Sequence, residues 1–453
     1  MPPRRSRTVE GSCWQCRKRR VLCDLTRPSC SRCSAAQQSC EYSRTRLKWI
    51  DGVAARGKLA GRSVPTEVTP TVPRPVTTAM PEGGLLLYFE RAFLPRFNLG
   101  IASLDIDLAA VSCDPVLQHA VIALANAHHA LDAHNSSDDA LFTKGQARLT
   151  ALESFRTHLG ARKTSAEDLF LANVFHCVLD AIIEPTDEAA AMLCHFQGGR
   201  ALLSDGDCLN KLTSADHGLS AFAISVFATM DLVHSLLSGH EPFFDEAWVM
   251  SRAGRHCWWG CLDTEDPFLS ILSILTRLAR LGFEARESQT LVRIDDLLTI
   301  QSALERSGTN ACPLHFSGDQ DAAMEFQDSW AAFCSAYRAT ALIYMYRALC
   351  NLEPDHHLIQ HATEEGVRAI CKENLAGNLA HCMLFPILVI GSHCMHEQDR
   401  KSLLRTLDNT ASYLSFGSIQ LIDGFLKERW YGQCLDSDWW DFYGGIAHRT
   451  AVF

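Results

Sequence analysis

Residues 13–40 read CWQCRKRRVLCDLTRPSCSRCSAAQQSC, with cysteines at Cys13, Cys16, Cys23, Cys30, Cys33 and Cys40. The spacing is C-x2-C-x6-C-x6-C-x2-C-x6-C. A shift of 17 residues maps the first three cysteines onto the last three, so the stretch is an internal repeat of C-x2-C-x6-C. Zinc favours four tetrahedral ligands, and thiolates suit closed structural sites. Six cysteines could fill one such site and leave two over, or fill two sites if two thiolates bridge. The repeat makes the first cysteine of each half, Cys13 and Cys30, the natural bridges. Cys16 and Cys23 then complete one Zn2+, and Cys33 and Cys40 the other. A segment this short has no hydrophobic core, so metal binding must supply its folding energy.

The two halves differ in charge. Arg17, Lys18, Arg19 and Arg20 lie between Cys16 and Cys23, whereas residues 34–39, between Cys33 and Cys40, carry none. Only the first half suits a polyanion: phosphate neutralisation gives salt-dependent affinity, and an arginine can pair bidentately with guanine O6 and N7.

These residues resemble the fungal Zn2Cys6 binuclear cluster of transcription factors. Every ligand spacing matches, as do Asp24 after the third cysteine and Pro28 two before the fourth. The resemblance implies the two-zinc bridged scheme, nuclear localisation and recognition of CGG-type triplets in the major groove of double-stranded DNA. It places Arg20 where the family usually has its base-reading lysine, with Arg19 at a further contact position. Leu22 stands where the family commonly has lysine before the third cysteine, which removes one phosphate contact. The basic tail that follows, with Arg46 and Lys48, is similar to a family branch in which such a tail adds phosphate contacts.

Outward from the cluster, the chain's 453 residues divide by charge. Residues 1–65 hold 15 Lys+Arg and 4 Asp+Glu, a net of +11; the remaining 27 Lys+Arg and 48 Asp+Glu give −21, and together they make the overall −10. A basic head on an acidic body points to a polyanion-binding arm beside a separate domain. No stretch of eighteen uncharged apolar residues occurs, so no membrane span is expected. The basic N-terminus has no apolar run behind it, so no secretory signal is expected. In a reducing compartment clustered cysteines act as metal ligands, and the 13 scattered from Cys113 to Cys434 as small core hydrophobes.

Residues 63–84 hold five Pro and five Thr, the composition of a disordered, semi-rigid tether. No sustained heptad follows the cluster, so a homodimer is possible but no coiled coil is expected. From Leu85 onward the pattern is helical. Asp114-Pro115 pairs an N-cap with proline at the first helical position. Leu117, Val121, Leu124, His128 and Leu131 mark one face. Ser165-Ala-Glu-Asp168 approximates a capping box ahead of Phe170, Val174, Cys177, Val178 and Ala181. Further helices are expected at 218–238, 267–283, 290–306, 325–351, 376–395 and 418–430. The fold expected is therefore mainly all-α: a Zn2Cys6 DNA-binding domain at 10–43, a basic then Pro/Thr-rich linker at 44–84, and an all-helical regulatory domain at 85–453.

The stretches Ala120–Leu131, His195-Phe-Gln-Gly-Gly-Arg200 and Leu426-Lys-Glu-Arg-Trp430 with Asp438-Trp439 look like the helical regulatory region that accompanies such clusters in fungal regulators. That implies a non-catalytic domain. His393-Cys-Met-His396 and His256-Cys257 with Cys261 lack complete four-ligand spacing and suit a helical core. His128-His129, His356-His357, Glu364-Glu365 and Asp295-Asp296 suit structural or solvated positions. Residues 435–443 interleave acids with aromatics, a pattern shared by disordered activation segments and by packed terminal helices.

The expected function is that of a sequence-specific transcription factor of RNA polymerase II genes. It is expected to act in the nucleus with the transcription machinery or co-regulators as partners. Control of a biosynthetic gene cluster is the first reading. Control of nutrient or primary metabolism, or a small-molecule receptor or enzyme-like body with the cluster as targeting module, are the alternatives.

Overall fold

The computed structural model describes residues 12–19, 21–40, 42, 80–99, 106–134, 137–161, 164–185, 189–204, 206–289, 291–307, 320–372, 379, 382–432 and 438–452. Arg20, Arg46, Lys48 and residues 44–79 of the linker lie outside the described residues; Glu82–Tyr88 is already helical, so the helical region begins at Glu82, inside the stretch expected as linker, with Pro81 as its N-cap. The chain divides into two compact units, Met1–Val76 and Thr77–Phe453.

The described residues of the first unit form two short helices, Trp14–Arg19 and Ser31–Ala35. In place of an apolar core it buries the sulfurs of Cys13, Cys16, Cys23, Cys30 and Cys33, with Cys40 half-buried.

The described residues of the second unit are mainly helical, and among them the β-structure is a single isolated bridge, Cys257 to Gly260. Local chemistry sets the helix starts. Asp114 Oδ1 accepts from the N–H groups of Val116 and Leu117, both at 2.9 Å, and Pro115 opens the Pro115–Asp132 helix. That helix buries Leu117, Val121, Leu124 and His128 as the 3.6-residue period requires. Ser165 Oγ accepts from Asp168 N at 3.1 Å and donates to Asp168 Oδ2 at 2.6 Å. The aspartate thus closes the cap through the serine hydroxyl.

Gly218–Ser238 is the central helix and is buried from Ala221 to Ser238. It packs on Ala166–Val178, Pro267–Ser288 and Trp439–Ala447. It is the one described helix long and apolar enough to cross a membrane, yet 89% of its apolar window is buried inside the unit. Asp231 and His234 interrupt its apolar run, which is why no uncharged stretch stands out in the sequence.

Pro267–Ser288 and Gln320–Tyr344 meet through an aromatic knot. Phe268 stands 4.7 Å from Phe333 and 5.1 Å from Tyr337 between ring centroids. Full burial of such a side chain stabilises by about 1.5–3 kcal/mol. Among the described residues three helices pass into a π turn, at Phe89–Phe93, Leu179–Ile183 and Met345–Leu349, the first continuing into a 3-10 turn at Leu94–Phe97. The C-terminal acidic-aromatic stretch is a packed helix, Trp439–Ala447. Asp438 caps it, and Trp439 Nε1 donates to the Leu236 carbonyl at 2.8 Å. Residues 435–437 lie outside the described residues.

Candidate metal centre and nucleic-acid interface

Each half of the cysteine repeat begins in the same way. Cys13 Sγ accepts from Cys16 N at 3.4 Å, and Cys30 Sγ accepts from Cys33 N at 3.4 Å. The first cysteine of each half therefore caps its own short helix, with its sulfur on the electropositive end. The third cysteines are held in parallel fashion. Cys30 N donates to Cys40 Sγ at 3.3 Å, and the Cys13 N–H reaches Cys23. Sequence repetition thus becomes a repeated set of N–H to sulfur bonds.

These bonds draw the sulfurs into two overlapping quartets. The sulfurs of Cys13, Cys16, Cys23 and Cys30 lie within 4.8 Å of one another, as do those of Cys13, Cys30, Cys33 and Cys40. Cys13 and Cys30 belong to both. Cys13 and Cys30 stand 3.7 Å apart, Cys13 and Cys33 3.5 Å, and Cys16 and Cys30 3.6 Å. Tetrahedral thiolates at a Zn–S distance of about 2.3 Å sit roughly 3.8 Å apart, so the donor set fits zinc. All six are free of disulfide bonds.

Two side chains besides the cysteines brace the cluster: Tyr42, which the motif does not include, and Asp24, the residue that follows the third cysteine. Tyr42 Oη lies 3.5 Å from Cys23 Sγ and donates to the Thr26 carbonyl at 3.0 Å, with the Arg27 guanidinium 5.2 Å above its ring. Asp24 Oδ2 accepts from Ser31 Oγ at 2.6 Å, Ser31 N at 3.1 Å and Thr26 Oγ1 at 2.9 Å. It thereby ties the end of the first half to the second helix. The Ser31 hydrogen bonds bring its carboxyl down to about 2.

Of the basic run, Arg17, Lys18 and Arg19 are exposed on the Trp14–Arg19 helix. The Arg17 guanidinium stands 5.5 Å over Trp14, and Arg19 Nη1 donates to the Arg32 carbonyl at 3.4 Å. The second half presents no basic counterpart between Ser34 and Ser39. Leu22 is 61% exposed, a surface position without charge.

Of the groups weighed as metal sites in the helical unit, His393, Cys394 and Cys257 are buried, whereas Cys261 and His396 are exposed. His393 Nδ1 bonds to the Val389 carbonyl at 2.8 Å, and Cys394 Sγ donates to Ile390 O at 3.4 Å. His128 is buried between Tyr88 Oη, Arg96 Nη1 and the Leu414 carbonyl, at 2.9, 2.8 and 2.8 Å. Burial lowers its pKa to about 4. His356 caps a helix through Leu358 N at 3.3 Å. Glu365 pairs with Arg338 and His361.

The His195–Arg200 motif is a packing and charge device. A Cβ at Gly199 would stand 2.6 Å from the Phe227 ring, so only glycine lets the two helices approach. Arg200 Nε and Nη2 clamp Asp231 Oδ1 at 2.8 and 2.5 Å, and Phe243 N holds Oδ2 at 2.8 Å. His195 Nε2 lies 3.5 Å from Asp180, which also binds Arg148 at 2.6 Å.

Comparison with known proteins follows this division. The model of the fungal Zn(2)-Cys(6) binuclear cluster domain matches residues 11–49, and that of the fungal specific transcription factor domain matches residues 86–452. The aspercryptin biosynthesis cluster-specific transcription regulator atnN of Emericella nidulans is 24% identical over 317 residues, 65% of this chain and 51% of that protein. The phomenoic acid biosynthesis cluster-specific transcriptional regulator of Leptosphaeria maculans is 46% identical over 55 residues, 11% of this chain and 10% of that one. The thiamine biosynthesis regulatory protein of Saccharomyces cerevisiae is 41% identical over 51 residues, 11% of each. The chain thus spans about half the length of the first of these relatives and about a tenth of the other two. No solved structure matches.

Proposed function

The chain belongs to the fungal transcription factors that join a Zn(2)-Cys(6) cluster to a fungal specific transcription factor domain, and from that premise we propose that it is a nuclear, sequence-specific regulator of a biosynthetic gene cluster. It reads CGG-type half-sites in RNA polymerase II promoters. The observation that carries this reading is the pair of sulfur quartets sharing Cys13 and Cys30, with the basic run exposed on one half alone.

In this reading Cys13 and Cys30 bridge, Cys16 and Cys23 complete one site, and Cys33 and Cys40 the other. Two bound Zn2+ would neutralise thiolate charge and supply the folding energy that a segment without an apolar core lacks. The chain's own residues do the rest. The N–H groups of Cys16 and Cys33 cap the sulfurs and fix the two short helices. Arg17, Lys18 and Arg19 face phosphates and base edges, Arg20 reads guanine, and Arg46 and Lys48 add phosphate contacts. The helical body recruits co-regulators or transcription machinery and is assigned no catalytic role. Two of the three relatives above are named as biosynthesis cluster-specific regulators, and one of these aligns over much of the body.

The test separates metal from DNA function. Cys13→Ser should release two equivalents of zinc from the full chain, and Cys23→Ser one; equal losses would overturn the bridging scheme. Arg20→Ala should weaken binding to a CGG site by about 1–3 kcal/mol and relax selectivity. An equal loss on all sequences would make Arg20 a phosphate contact. A genome-wide map of bound promoters identifies the pathway; sites confined to nutrient genes would replace the biosynthetic reading.

A further inference from the structure

Three histidines far apart in sequence converge in the helical unit. His234 lies in the last turns of the Gly218–Ser238 helix, His240 follows that helix, and His448 follows the Trp439–Ala447 helix. One nitrogen from each ring lies within 4.8 Å of the other two. The ring centroids are 5.3 Å apart for His234 and His240, 5.8 Å for His234 and His448, and 6.0 Å for His240 and His448.

Hydrogen-bond bookkeeping fixes two of the tautomers. His234 Nδ1 faces the Ala447 carbonyl at 3.1 Å, and a carbonyl only accepts, so Nδ1 carries the proton and Nε2 the lone pair. The Ser238 hydroxyl spends its one proton on the His234 carbonyl at 2.6 Å. At 2.8 Å from His240 Nδ1 it can therefore only accept, so His240 is also protonated on Nδ1 with Nε2 free. Both rings show the arrangement of a metal-ligating histidine, with one N–H anchored on a protein oxygen and the other nitrogen open.

We propose that His234, His240 and His448 form a binding site for a divalent transition-metal ion of the zinc class, separate from the cysteine cluster and open to a fourth, exogenous ligand. Neutral imidazole is the ligating form. Burial and neighbouring charges keep both His234 and His240 below the usual histidine range. Two guanidiniums face the site, from Arg200 and Arg286. Asp231 neutralises the first, and the second donates to the Ser238 carbonyl at 3.0 Å while standing 6.0 Å over Trp440. Their field sets the affinity below that of the thiolate cluster.

Tetrahedral nitrogens at a Zn–N distance of about 2.0–2.1 Å sit roughly 3.3 Å apart, so the rings must draw together. His234 is the buried anchor, and the solvent-reached His240 and His448 supply the movement. Because His448 follows the terminal helix and His234 belongs to the central one, an ion here ties the terminal helix to the core. Metal occupancy then governs how firmly that helix is held.

The test uses the full chain, dialysed against micromolar free Zn2+ and analysed for metal content by mass spectrometry. Wild type should hold one equivalent more than His240→Ala and one more than His448→Ala. Added Zn2+ should raise the melting temperature of the helical unit by several degrees in wild type and not in either variant. His240 is exposed, so its substitution leaves the core intact even if the His448 variant unfolds. Equal zinc content in wild type and His240→Ala, or an equal zinc-dependent rise in melting temperature, overturns the proposal.

Discussion

Replacing Arg200 with alanine isolates the energetics of the buried charge in the central helix. Asp231 is 1% exposed and sits mid-helix, out of reach of bulk water. Its carboxylate receives two N–H groups from Arg200 and one from Phe243, and the Phe244 N–H also reaches it. Arg200 also donates to the Glu241 carbonyl at 2.8 Å and lies 5.6 Å over the Phe196 ring. Arg200→Ala leaves the buried carboxylate with backbone donors alone and without its guanidinium partner. Breaking a buried pair in this way costs about 3–5 kcal/mol, well above the value of a surface pair. With a urea m-value of about 3 kcal/mol/M, the midpoint should fall by about 1–1.7 M.

The sign of the pH dependence follows. Burial pushes the Asp231 carboxyl up, and Arg200 opposes that rise. Without Arg200 the folded-state pKa stands above the unfolded value. The variant therefore binds its proton in the folded state first, and its deficit against wild type shrinks as pH falls through that raised pKa. Arg200→Ala combined with Asp231→Asn removes the orphaned charge and should recover most of the loss. Urea denaturation followed by far-UV circular dichroism at pH 7.5 and pH 5 reads all of this. A midpoint shift under about 0.3 M at pH 7.5, or a double variant no more stable than Arg200→Ala, would refute the reasoning.

Gly199→Ala should destabilise the helical unit by about 1–3 kcal/mol, because its Cβ meets the Phe227 ring at 2.6 Å and Asn173 Nδ2 at 3.0 Å; an unchanged denaturation midpoint contradicts this. Trp439→Ala removes a 3% exposed ring and its bond to Leu236 O. It should cost about 3–5 kcal/mol and raise hydrogen exchange across Trp439–Ala447; unaltered protection there counts against docking of the terminal helix. Burial lowers the pKa values of His128, His176 and His393 to about 4. Depressed folded pKa values keep stability full above the unfolded value near 6.5 and remove it as pH falls toward 4. The slope approaches roughly 4 kcal/mol per pH unit if all three titrate together. A stability profile flat from pH 7.5 to 5 rules this out.

What was legible in the sequence tracks how local the determining physics is. Asp114-Pro115 and Ser165–Asp168 are caps completed within four residues, and both stand where the pattern put them. The 218–238 helix matches at both ends because Gly239 closes it at φ 72°. The helix expected at 376–395 is described as Leu384–Ser392, where Pro386 is tolerated only because it lies in the first turn. The 325–351 helix loses its regular pitch in the π turn at Met345–Leu349, which no propensity signals. Arg200 with Asp231, and the triad of His234, His240 and His448, depend on tertiary packing between distant helices. Motif spacing could not reveal them, and the adjacent pairs it did flag, His393-Cys394 and His128-His129, are absorbed by the core.

Cysteine shows why spacing alone carries the metal centre. In the helical unit, Cys257 and Cys394 are buried among apolar neighbours, and burial pushes both thiols up to about 12. A lone thiol in that state packs as a small hydrophobe. In the N-terminal unit the sulfurs of Cys13, Cys23, Cys30 and Cys40 each receive a backbone N–H. Those donors stabilise the thiolate that a metal requires. Those at Cys13 and Cys30 exist because a C-x2-C turn aims the N–H of its fourth residue at the first sulfur, and the 17-residue repeat builds that turn twice. Four of the six ligand cysteines therefore differ from Cys257 and Cys394 in the backbone around the sulfur, and the remaining two, Cys16 and Cys33, are brought to the cluster by the turns that spacing encodes.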